Sequence, residues 1–208
     1  MILSKSDIQK LDFSYRINII NSVTGIKPAN LIGTISKDKI SNLAIFTSVV
    51  HIGSNPSLIG IFSRPIKKIV RNTFTNILDT KYYTINHINE TFYQKAHQTS
   101  FKYGKTVSEF DECSFSEEYL NDFKAPFVKE SNIKIGLKYI EHIEIKLNNT
   151  ILLIGEIQNV IVPDEIINEI GYIDLQKANS VGVSGCNSYY KFKKLGDCNL
   201  ATDIIKKS

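Results

Sequence analysis

Five polar side chains, Thr47, Ser48, His51, Ser63 and Arg64, stand in the otherwise apolar stretch NLAIFTSVVHIGSNPSLIGIFSRP, residues 42–65. Asn72 and Thr73 follow soon after Arg64, and Lys67, Lys68 and Arg71 lie between. Strand-end hydroxyls, a guanidinium fork and the unpaired N–H groups of a helix start are the donors a phosphate monoester needs. The basic cluster suits the same anion, although a solvated helix entry accounts for it equally well. Each hydroxyl also has a competing reading as an ordinary strand residue bonded to nearby backbone. A lone arginine after a strand is usually solvated or held in a surface ion pair.

For these groups to act together, the elements carrying them must end together. NLIGTISKD (30–38) is β-branched and apolar, KDKIS makes a turn, and LAIFTSVV (43–50) follows within hairpin distance, so the two are expected to pair antiparallel. Alternation places Leu43, Ile45, Thr47 and Val49 on one face and Ala44, Phe46, Ser48 and Val50 on the other. HIGSNP is expected to break that strand with Gly53, Asn55 and Pro56, after which SLIGIFS (57–63) forms a third strand ending at Arg64 and Pro65. Phe74, Ile77 and Leu78 then fall at i, i+3 and i+4, which predicts a short amphipathic helix from near residue 73 with Asn72 or Thr73 as N-cap. KYYTINHI (81–88) returns to strand, and TFYQKAHQTS reads as a short helix. FKYGKTVSEFDECSFSEEYLNDF is a polar excursion whose acidic run reads as a solvated loop or exposed helix. IKIGLKYIEHIEIKL and TILLIGEIQNVIV are two long strands joined at Asn148 and Asn149. At least six strands, two or three short helices and hairpin-scale connections predict a mainly β antiparallel barrel that closes its own edges. No internal repeat or linker divides the chain, so residues 1–208 are expected to form one domain.

Composition narrows the function classes. The 208 residues are 42% hydrophobic and 22% charged, as in an ordinary globular protein. The net charge of +4 comes from scattered lysines, which favours an anionic ligand weakly and does not suit duplex nucleic acid. Cys113, Cys186 and Cys198 form no CxxC pair, and MILSKSDIQKLDF lacks the apolar core of a signal peptide, so a reducing cytoplasm is expected. The apolar runs are interrupted by charge well short of the roughly 18 residues of a membrane span. His51 reads as a hydrogen-bonded structural residue, and His87 and His142 carry no functional signal; no His or Cys pair has metal-ligand spacing. The chain shows no catalytic triad, no HExxH and no GxGxxG.

KPANLIGTISKDKISNLAIFTSVVHIGSNPSLIGIFSRP followed by RNTFTNILDTKYYTIN closely resembles the flavin reductase-like, FMN-binding split-barrel family, flavoredoxin-type proteins included. The likeness continues in order through AHQTSFKYGKTVSEF, KAPFVKES, ILLIGEI and GVSGCNSYY, over roughly residues 25–192. It implies a homodimeric split β-barrel holding FMN noncovalently near the subunit interface. On that resemblance Asn42, Leu43 and Ala44 match the strand whose backbone runs beside the flavin ring, and Thr47 and Ser48 match the polar positions after it. Ser63 and Arg64 match the strand end that reaches the ribityl phosphate, and Thr73 the threonine at the helix start. His97 lies in a stretch resembling one that flanks the active site, which makes it a substrate or flavin contact. Tyr189 and Tyr190 match a late tyrosine motif at the flavin or dimer interface, with aromatic core packing as the competing view. The implied activity is that of an NAD(P)H:flavin reductase working through bound FMN, with NADH or NADPH stacking directly on the flavin. Two alternatives remain beside it: an FMN electron carrier reduced by a partner protein, and a binding protein that has lost flavin.

Overall fold

The computed structural model describes residues 1–65, 72–104 and 106–198. The chain opens with two helices, α1 (Lys5–Lys10) and α2 (Phe13–Ser22). Ser4 and Asp7 form a capping box on the first, and the Asp12 carboxylate accepts the N–H groups of Ser14 and Tyr15 on the second. The strands β1 (Lys27–Pro28), β2 (Asn30–Ile35), β3 (Ser41–Phe46), β4 (Val49–Ser54) and β5 (Ser57–Ser63) follow. Next come α3 (Asn72–Thr80), β6 (Tyr82–His87), α4 (Tyr93–Gln98), α5 (Glu109–Glu112), β7 (Glu117–Glu118) and β8 (Phe127–Val128). The long hairpin β9 (Lys134–Ile145) and β10 (Thr150–Ile161) turns at Asn148 and Asn149, the latter with φ 58°. A 3-10 turn (Asp164–Ile166), β11 (Val181–Ser184) and β12 (Ser188–Lys191) complete the described elements. Among the described residues no helix is long and apolar enough to cross a membrane.

The principal sheet has seven strands in the order β3-β2-β6-β9-β10-β5-β4, and every neighbouring pair is antiparallel. Its two edge strands, β3 and β4, are consecutive in the chain, so the sheet must curl until its edges meet at Thr47 and Ser48. Inside lie Ile32, Ile59, Ile61, Tyr83, Ile85, Leu137, Ile151 and Leu153, closed at one side by Phe74 and Ile77 of α3. A second cluster, with Leu31, Leu43, Ile88, Phe92, Ala96, Phe110, Val181 and Val183, packs α4, α5 and the β11–β12 hairpin against the other face of β2 and β3. Burying branched aliphatics on both faces of β2 and β3 contributes about 1.5–3 kcal/mol per side chain, which ties the two layers together.

Several expectations need correction. The strand expected over 43–50 is two strands: Leu43 and Ile45 enter the second cluster, whereas Phe46 and Val49 pack in the barrel interior. The physical reason is a change of partner at Thr47–Ser48, from β2 to β5, which breaks the face alternation. HIGSNP does not end the strand. His51–Ser54 continues β4, and the turn falls at Asn55–Pro56. Asn72 and Thr73 lie inside α3 as its first described residues, and neither is its cap. Among the described residues five short helices occur where two or three were expected.

Candidate functional site

The seam where β3 hands over to β4 positions the phosphate-type donors. The Ser48 hydroxyl donates to the Phe62 carbonyl at 3.1 Å, and the Phe62 N–H donates back to the Ser48 carbonyl at 3.2 Å. This two-way bond fixes Ser48 beside the end of β5, next to Ser63 and Arg64. Ser63 is buried opposite Ile151, and its hydroxyl spends its proton on a long 3.3 Å bond to the Arg64 carbonyl. Arg64 is exposed and makes no ion pair among the described residues. Thr47 is half-buried at the seam. Lys67, Lys68 and Arg71, the basic cluster of the sequence, lie outside the described residues.

At the other end of β3 a buried polar cluster locks α3 to the sheet. The Asn42 amide donates to Thr73 Oγ1 at 3.1 Å and to Thr34 Oγ1 at 3.3 Å, and the Asn76 amide donates to the same Thr34 oxygen at 3.1 Å. All four side chains are buried. Asn42 is therefore committed to holding the helix start in place. Thr73 Oγ1 accepts in that bond and donates to no other group among the described residues.

The backbone edge of β3 is selected by a residue that sequence reading passed over. Glu109, at the start of α5, is only 8% exposed and accepts the Leu43 N–H at 3.0 Å. Hydrogen-bonding directions alternate along an antiparallel strand, so Leu43 and Ile45 point away from β2 while Ala44 is bound into the ladder opposite Ile32. With the Leu43 N–H taken by Glu109, the outward groups of β3 without a partner among the described residues include those of Ile45. Leu43 and Ala44 thus flank the open edge, and Leu43 puts its side chain into the core. The acidic run was expected to be solvated, yet Ser108, Glu109 and Phe110 are all buried. Ser108 caps the helix by accepting the Phe110 N–H at 3.2 Å and bonds Ser41 Oγ at 2.7 Å, and Ser41 also donates to Glu117. The Ser-Glu-Phe order, a capping residue ahead of an apolar side chain, was the available signal.

Burial pushes the Glu109 carboxyl up from 4.5, opposed in part by the Leu43 N–H. An acid raised in the folded state binds more protons folded than unfolded, so its contribution to stability is full below the ordinary glutamate range and is lost as pH rises through the raised value. Glu109→Gln is neutral and keeps an acceptor for Leu43. In urea denaturation from pH 4 to 8, the variant should gain stability relative to the native chain as pH rises. A constant difference across that range would exclude the linkage.

His97 sits on α4 with Nδ1 2.9 Å from the Tyr189 hydroxyl. Burial pushes that phenol up to about 12, and the direction of its bond to the imidazole follows the ring's tautomer. The Tyr93 ring lies 5.1 Å from that of Tyr189, and both tyrosines pack on the cluster that takes Leu43 and Ile45. Tyr190 is exposed. His51 is exposed on β4, with Nε2 3.4 Å from Ser54 Oγ. The structure thus joins Ser48 with Ser63 and Arg64, Asn42 with Thr73, and His97 with Tyr189.

Comparison with known proteins adds the family. The family model described as flavin reductase like domain matches residues 26–178. A crystal structure of a split-barrel protein from Shewanella frigidimarina NCIMB 400 superposes with a TM-score of 0.92 at 45% identity, covering 97% of this chain and 100% of that one. Nitrilotriacetate monooxygenase component B from Bacillus cereus gives 0.82 at 16% identity, covering 95% of this chain and 98% of its own. Flavoredoxin of Desulfovibrio vulgaris (Miyazaki F) gives 0.74 at 22% identity, covering 86% and 93%. At those last two identities the likeness is one of fold.

Proposed function

The chain belongs to the flavin reductase-like domain family, with its split β-barrel fold, and from that premise we propose that it is an FMN-dependent oxidoreductase of the NAD(P)H:flavin reductase type. The observation that carries this reading is the donor set at the seam of β3, β4 and β5, where Ser48 is bonded to the strand that delivers Ser63 and Arg64. Of these the Arg64 guanidinium makes no ion pair among the described residues. A phosphate takes such donors readily. The outward groups of Ile45, with Thr47 beyond, supply the donor and acceptor pairs that suit the pyrimidine edge of an isoalloxazine.

Bound FMN would supply the acceptor for a hydride or for single electrons. The chain's own work is to fix the phosphate with Arg64 at the end of β5, to orient the ring along β3, and to leave one face open to the donor. His97, its ring held by Tyr189, would contact the substrate. None of this needs an acid, base or nucleophile, which accounts for a sequence without a triad. The same reading makes the protein a cytoplasmic homodimer that takes NADH or NADPH.

Anaerobic mixing of the FMN-loaded protein with NADH and with NADPH tests the proposal. Prompt bleaching of the flavin band by one of them is expected. Slow reduction by both, with fast reduction by a ferredoxin-like protein, would replace the reductase by an electron carrier.

A further inference from the structure

The Leu43 N–H can be held by Glu109 in either charge state, because a neutral acid keeps a carbonyl oxygen to accept it. The carboxyl is buried, and among the described residues no cation pairs with it. Burial holds it above the usual glutamate range, against the pull of the Leu43 N–H and of its own N–H.

The groups around Glu109 leave it as the one placed to change charge. Tyr103 and Cys113 are bonded to each other at 3.7 Å; that bond, with burial, pushes the phenol up to about 12, and burial pushes the thiol up, so both stay neutral. Lys95 of α4 is taken by Glu130 at 3.7 Å and by the Ser114 carbonyl. Glu117 of β7 is bonded by Ser41 and Tyr119. Asp111 and Glu112, on the same short helix, are exposed, and β3 itself carries no titratable side chain.

The position of Glu109 gives such a change its consequence. Leu43 and Ile45 turn their backbone groups to the same side of β3, two residues and so about 7 Å apart. A ring bonded to the outward groups of Ile45 therefore has the Glu109 carboxyl within roughly 10 Å. Hydride transfer oxidises the nicotinamide donor by two electrons, reduces the ring by the same two, and leaves one negative charge on the ring. At roughly 10 Å and an effective dielectric of about 20, two like charges repel enough to shift a proton equilibrium about tenfold.

We propose that Glu109 is a redox-linked proton site: a carboxylate while the ring along β3 is oxidised, and a neutral acid, by uptake of one proton from solvent, once the ring is reduced. The inference rests on the flavin reading above and adds the residue that ties the reduction equilibrium to pH. Glu109 acts through the β3 edge and is a tuning residue, not a catalytic one.

The test is the reduction potential of the FMN-loaded full-length protein, followed by flavin absorbance from pH 4 to 8, beside Glu109→Gln and Glu112→Gln. An acid that is neutral in both redox states at low pH opposes nothing; ionised in both at high pH, it opposes the charge on the ring. Native protein and Glu109→Gln should therefore agree at the acid end. Toward the alkaline end the native reduction equilibrium should become about tenfold less favourable than that of the variant. Glu112→Gln, exposed on the same helix, should follow the native curve. A native-to-Glu109→Gln ratio that stays constant with pH, with flavin bound to both, overturns the proposal and spares the flavin reading. A native protein that binds no FMN overturns both. If Glu109→Gln does not fold, infrared difference spectra of the native protein decide: reduction at mid-range pH should add the C=O band of a protonated carboxyl, and its absence overturns the proposal.

Discussion

Arg64→Ala should weaken FMN binding about 10- to 100-fold and leave riboflavin, which lacks the phosphate, bound within about twofold. The factor follows from losing one charged hydrogen-bonding group, worth about 1.5–3 kcal/mol against an anion. Arg64 is exposed and makes no ion pair among the described residues, so its removal should disturb no packing. The thermal midpoint of the ligand-free protein should therefore be unchanged. Equal losses for FMN and riboflavin by fluorescence titration would show that Arg64 does not read the phosphate.

Gly33→Ala should cost about 3 kcal/mol and lower the thermal midpoint by roughly 6–12 °C. Gly33 lies on β2 between Leu43 of β3 and Thr84 of β6. A Cβ there would run into the Pro126 carbonyl and the Thr84 hydroxyl, which are themselves hydrogen-bonded at 2.6 Å. Backbone cannot give way cheaply, so either that bond breaks or the sheet shifts. Gly53→Ala is the control, since its Cβ would meet the Pro56 carbonyl at an ordinary 3.5 Å. Scanning calorimetry that found the two variants equal would contradict this packing.

Much of the barrel could be read from the chain, because its strands advertise themselves locally. SLIGIFS coincides with β5, and the Asn148–Asn149 turn lies between β9 and β10. What escaped is what depends on partners. Nothing local in LAIFTSVV marks the change from β2 to β5 at Thr47–Ser48, since every residue there tolerates an extended backbone. The helices α1 and α2 escaped for another reason: neither has a buried residue. Of the site, the residue types were legible and their partners were not. The Asn42 amide, for example, is bonded to Thr73 and Thr34, which nothing in its neighbours along the chain foretells. Glu109 looked like part of a solvated acidic run, although tertiary packing buries it against the Leu43 N–H.

The central claim is that the seam of β3, β4 and β5 holds FMN. The most direct test is the absorbance spectrum of the native protein after excess FMN has been added and removed by gel filtration, with flavin counted per chain. The account predicts a yellow protein carrying one flavin per chain, and a largely colourless Arg64→Ala variant treated in the same way. A native protein that emerges colourless would contradict it, leaving a split barrel whose donors serve some other ligand.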